Sequence, residues 1–120
     1  MIRVFIIDST EDMIYYKTLS ERIEHLSVDI ETSADRAISR LGLKTYDLII
    51  ISRGTGRADL YDVAEFIKHS RSNKKAVIIL LEDKPTMAIK IQGILKGRRV
   101  FHYKSNQQQE FGGMLERMAV

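Results

Sequence analysis

Residues 46–57 read YDLIIISRGTGR. From Tyr46 to Ile51 the run is apolar with little alternation, the pattern of a strand covered on both faces. It ends at Ser52 and passes into a loop in which Arg53 and Arg57 flank Gly54 and Gly56. In an open α/β sheet, ligands and chemistry gather at the carboxyl ends of parallel strands, so the side chain at Ser52 bears directly on function.

Outward from this stretch, short apolar runs alternate with segments of helical period. Ile2 to Ile7 is a continuous, β-branched run that predicts a second buried strand. Ser9, with Asp12 three residues on, resembles a capping box, and Met13, Tyr16, Leu19, Ile23 and Leu26 then mark one face of a helix. A strand is expected over Val28 to Thr32. Ser33 can cap a helix with Ala34, Ala37, Ile38 and Leu41 inward, and Gly42 stands where a left-handed helix terminus is favoured. After the glycine loop, Leu60, Val63, Phe66 and Ile67 form the next stripe, followed by a strand over Ala76 to Leu81. Pro85 suits a first helical turn, and Met87, Ala88, Ile91, Ile94 and Leu95 face inward until Gly97. Val100 to Tyr103 is the last strand, and Ser105 opens a final helix through Met114, Leu115 and Met118.

Strict strand–helix alternation, about five times over, requires a parallel sheet with right-handed crossovers. The expected fold is a doubly wound α/β sandwich with helices on both faces, built by residues 1–120 as one domain. Its longest apolar runs should be central, and the more polar Val28–Thr32 and Val100–Tyr103 should lie near the edges.

Composition sets the outer limits. The chain has 120 residues, 44% hydrophobic and 29% charged, with one proline, a profile of ordinary globular proteins. With no cysteine there is neither a disulfide framework nor a thiol nucleophile. No apolar run approaches the ~20 residues that span a bilayer, so a cytoplasmic chain without membrane attachment is expected. The formal charge of +3 does not by itself point to nucleic acid, and the basic residues are not interleaved with aromatics suited to stacking.

Several chemistries fail on spacing. GTGRAD begins like a dinucleotide fingerprint but carries Asp59 at its sixth position and follows the third strand instead of the first. Its glycines more simply permit a tight turn, while Arg53 and Arg57 leave an anion loop open. A serine triad would need a base beside Ser52; of His25, His69 and His102, only the last approaches the strand exits, and it lies within a strand. No metal-ligand spacing such as His-Glu-x-x-His occurs. DSTED at 8–12 lacks the glycine that a flavin phosphate nest needs.

An Ile-Ile-Asp on strand one, YDLIII on strand three, VIILL on strand four and VFHYKS on strand five together resemble the receiver domains of bacterial response regulators. The resemblance spans the whole chain and implies a flavodoxin-like fold with strand order 2-1-3-4-5. It also implies a pocket of two acids after strand one, a phosphoacceptor aspartate ending strand three, a hydroxyl ending strand four and a lysine ending strand five. Here Asp8 matches the first acid and Lys104 the lysine, but Ser9, Ser52 and Leu81 stand at the other three positions. Phe101 matches the switch aromatic. Three acids have become one, too few to hold magnesium well, and a neutral hydroxyl with no neighbouring base is a poor phosphoryl acceptor. Asp8 and Lys104 are expected to pair with each other.

The expectation is therefore a degenerate receiver, not an enzyme, with no metal and no cofactor, that signals by binding protein. From Lys84 to Gln109 there are six basic residues and no acid. With Ile89 and His102, the residues Lys84, Lys90, Lys96, Arg98 and Arg99 would form a docking face on the fourth helix, fifth strand and fifth helix, for an acidic partner or a second copy. The rival expectation is a nucleotide or cyclic-dinucleotide sensor using the Arg53/Arg57 loop and the basic residues.

Overall fold

The structure is a computed structural model and describes residues 1–7, 21, 24–52, 59–104 and 113, with the side chain of Asp59 excepted. Five strands form one parallel sheet in the order β2-β1-β3-β4-β5. They are β1 (Ile2–Ile7), β2 (Leu26–Glu31), β3 (Leu48–Ser52), β4 (Val77–Leu81) and β5 (Arg99–Tyr103). Three helices, α1 (Ala34–Leu43), α2 (Asp59–His69) and α3 (Pro85–Ile94), connect successive strands from β2 to β5. The helices expected over Met13–Leu26 and after Ser105 fall largely outside the described residues.

The strand pattern explains the order. β1, β3 and β4 are apolar on both faces and occupy the centre, where Phe5, Ile7, Ile49, Ile51, Ile78 and Leu80 join the inward stripes of α1, α2 and α3 in one core. Val4, Ile6, Leu48, Ile50, Ile79 and Leu81 form a second core on the opposite face. Both faces exclude water, which a parallel sheet requires. β2 and β5 are the edges and are half-buried or exposed.

Three local expectations change. Leu26 belongs to β2, in register with Ile2, and not to the preceding helix. The break comes at His25, whose φ of 64° is left-handed and whose carbonyl accepts from the Ile2 N–H (2.7 Å). Gly42 does not terminate α1: the helix continues through Leu43, and the N–H of Lys44 still donates to the Arg40 carbonyl (3.0 Å). Tyr46 precedes β3 instead of opening it. At the other ends the reading holds. Ser33 Oγ accepts from the Arg36 N–H, Pro85 occupies the first turn of α3, and Gly97 takes φ +94° beyond the end of that helix.

An ionic and hydrogen-bonded cluster fastens α1 to the β2 edge. Arg40 pairs with Glu31 (2.7 Å) and Asp29 (3.4 Å), Lys44 reaches Asp29 (3.4 Å), and the Tyr46 hydroxyl donates to Asp29 (2.7 Å). Burial pushes the Asp29 carboxyl up. Donation from Tyr46 and Lys44, with the charges of Lys44 and Arg40, outweighs that and holds it below the usual carboxylate range. Burial, then the Asp29 carboxylate, pushes the Tyr46 phenol well above its ordinary value. A carboxylate depressed in the fold stabilises it above its unfolded pKa, about 3.9, and that contribution disappears as pH falls through the folded value. Urea unfolding across pH should therefore show Asp29→Asn less stable than the parent at neutral pH, with the difference shrinking below about pH 4.

Candidate functional site

Because all five strands run the same way, their carboxyl ends share one edge of the sheet. Ser52, Leu81 and Tyr103 lie in one row across that edge, paired in register from β3 to β4 to β5. Ser52 is fully buried and Leu81 nearly so. By alternation Ser52 follows Leu48 and Ile50 on the face of the second core, where Leu81 and Tyr103 also pack. Lys104 is the next residue after this row and is exposed. The structure thus places Ser52, Leu81 and Lys104 at one edge of the sheet, with Ser52 and Leu81 paired in register. Asp8, Ser9 and the loop Arg53, Gly54, Gly56 and Arg57 lie outside the described residues.

The two paired positions of this row, Ser52 and Leu81, bring no carboxylate for a divalent cation. Ser52 offers one neutral hydroxyl and Leu81 none, whereas magnesium needs octahedral oxygen ligands with carboxylate charge. Among the described residues no group of three or more His, Asp or Glu side chains converges on a metal position.

Beside this row, the acidic side chain after β4 has turned inward. Glu82 is buried, its carboxylate accepts from the Lys84 N–H (3.0 Å), and its backbone carbonyl lies 2.6 Å from His102 Nε2. His102 is thereby engaged in tying β5 to the loop that opens α3. Phe101, on β5, is 47% exposed.

The expected basic face divides. Lys84 and Lys104 stand at the carboxyl end of the sheet, Lys96, Arg98 and Arg99 at the amino end, and the length of β5 separates them. On α3, Lys90 places its ammonium 4.1 Å from the centre of the Tyr61 ring on α2. Ile89 is 69% exposed, as its helical phase predicts.

Arg98 has a structural role that the sequence does not show, because its guanidinium is a clamp. It donates to the carbonyls of Ile67 (3.2 Å), Lys68 (2.8 Å) and Ser70 (3.0 Å) at the end of α2, and of Lys74 (2.7 Å) in the following loop. A guanidinium at a helix carboxyl terminus satisfies orphan carbonyls and the dipole together. Sequence reading also missed Asn73, a buried polar residue within the hydrophilic stretch SRSNKK. A lone asparagine there carries no periodic signal.

The chain matches no family model and no curated protein. Among solved structures it is similar to a response regulator from Hahella chejuensis, at TM-score 0.73 and 19% identity over 98% of this chain and 92% of that one. The fold is that of a response regulator receiver domain. The same receiver fold appears in two proteins named for pilus assembly, each with TM-score 0.68 and 15% identity. The one from Burkholderia thailandensis aligns over 99% of this chain and 98% of its own, and the one from Burkholderia pseudomallei over 99% and 90%. Among the described residues no helix is long and apolar enough to cross a membrane.

Proposed function

We propose that this chain is a pseudo-receiver, a response-regulator-type signalling module that acts by binding another protein and takes up no phosphoryl group. The observation that carries this reading is the buried Ser52 at the end of β3, in line with Leu81. On the receiver fold that is the position of the acceptor carboxylate, with the following hydroxyl replaced by an alkyl group. A neutral hydroxyl carries no charge to attack phosphorus, and the leucine in line with it offers no hydroxyl to follow a transferred group. The module performs no chemistry of its own and needs no cofactor.

The exposed apolar side chains support docking on α3 and β5, where Ile89 and Phe101 face water. Phe101 in particular stands out where a phosphorylation-driven switch would draw it inward. With no acceptor below it, its position is set by the partner instead of by phosphate.

Incubation with acetyl phosphate and magnesium, followed by intact-mass spectrometry, should leave the mass unchanged. An acid-labile or hydroxyl-linked phosphoryl adduct that maps to the carboxyl edge of the sheet would overturn the proposal.

A further inference from the structure

The two most basic segments of the chain, which the sequence separates, are bound side by side at the amino-terminal end of the sheet. Lys68, Arg71, Lys74 and Lys75 lie on the end of α2 and the loop before β4. Lys96, Arg98 and Arg99 lie on the turn between α3 and β5. Arg98 joins the segments through its bonds to the carbonyls of Ser70 and Lys74, and Lys68 Nζ donates to the Lys96 carbonyl.

Part of this charge has a structural use. Helices α2 and α3 end here, and Lys68 and Arg98 answer backbone carbonyls as cations at helix carboxyl termini do. Arg71, Lys74, Lys75, Lys96 and Arg99 are different. All five are exposed, and none pairs with a carboxylate among the described residues. Between Glu65 and Glu110 the only acids are Glu82 and Asp83, which follow β4 at the opposite end of the sheet. Of the acids nearby, Asp47 accepts from the Arg3 N–H (2.8 Å) and Glu65 faces His69 (3.6 Å).

We infer that this end of the sheet is a docking surface for a short acidic protein segment, separate from the α3–β5 face. The inference deepens the reading of the chain as a protein-binding module and adds a surface to it. Charge arithmetic chooses the occupant. The formal net charge is +3, so removing the seven clustered cations leaves −4 for everything else. A long polyanion, whether a nucleic-acid duplex or an anionic bilayer, calls for more positive charge than the rest of the chain, negative in sum, supplies. A short run of Asp and Glu meets only the cations.

The test is fluorescence anisotropy at low salt with a labelled oligoglutamate peptide and the full chain. The parent should bind, high salt should abolish binding, and Lys74→Glu with Lys75→Glu should weaken it about tenfold or more. Lys74→Gln with Lys75→Gln should show a smaller loss, and Arg36→Glu, in the first turn of α1 at the far end of the sheet, should leave affinity unchanged. Circular dichroism should find each variant folded, since all three positions are exposed. No binding by the parent, an equal loss in Arg36→Glu, or tighter binding to duplex DNA or phosphatidylserine vesicles would overturn the inference. None of these outcomes bears on the acetyl phosphate result, so failure of the docking surface is distinguishable from failure of the non-phosphorylated reading.

Discussion

Asn73→Ala is expected to lower the free energy of unfolding by about 2–4 kcal/mol, although the residue lies in a hydrophilic loop. Its side chain is 1% exposed and joins three pieces of backbone. Oδ1 accepts from the Tyr46 N–H (2.7 Å) just ahead of β3, and Nδ2 donates to the carbonyls of Leu41 (3.0 Å) and Lys44 (3.1 Å) at the end of α1. Its own carbonyl accepts from the Ala76 N–H (3.2 Å) before β4. Alanine would leave a buried donor and two acceptors unsatisfied, and each such group costs about 1–3 kcal/mol unless water reaches it. Asn73→Asp should not rescue, because it keeps the acceptor for Tyr46 but turns a carboxylate toward two carbonyl oxygens. Urea denaturation of both variants checks this. A loss in Asn73→Ala below about 1 kcal/mol would mean that the three segments hold together without the amide.

Asn73 also marks where sequence reading stops. Continuous apolar runs such as Val4–Ile7 and Val77–Leu81 have no other home than the centre of a parallel sheet, so β1, β3 and β4, and with them the fold, could be read directly. The inward stripes of α2 and α3 were legible for the same reason: period 3.6 records a local relation between neighbours in sequence. Gly42 misled because a glycine terminus is a local signal, while α1 is ended by an asparagine 32 residues away supplying donors to its last carbonyls. Leu26 fitted the helical stripe through Ile23 and also fits β2, and only the left-handed His25 decides between them. Arg98 likewise counted as surface charge until its four carbonyl partners were placed around it. That Ser52 and Leu81 end neighbouring strands was legible because strand ends on a parallel sheet are fixed by register. The division of the basic residues between two ends was not, since it depends on which loop each segment meets.

Ser52→Asp supplies the side chain that a phosphorylated receiver carries, and it should harm the protein without restoring the chemistry. The position is 0% exposed and in register with Leu81, so a carboxylate there loses its water and meets an alkyl neighbour. Burial raises the pKa of such a group. A carboxyl raised in the fold above its unfolded value, about 3.9, is stabilising relative to its ionised form only while protonated. The variant should therefore approach the parent in stability below about pH 4 and fall progressively behind as pH rises through the folded pKa, by roughly 2–4 kcal/mol at neutral pH. Lys104 is exposed at the same end, where water screens it, and offsets only part of that cost. Magnesium should return little of the lost stability, because a single added carboxylate does not complete an octahedral site, and acetyl phosphate should still leave the mass unchanged. Thermal unfolding from acid to neutral pH, with and without magnesium, separates the two accounts of this pocket. If magnesium restores the melting temperature and a phosphoryl group then appears on the introduced aspartate, the site is intact apart from one residue. If neither happens, the loss extends to the neighbouring positions, as Leu81 in line with Ser52 leads us to expect.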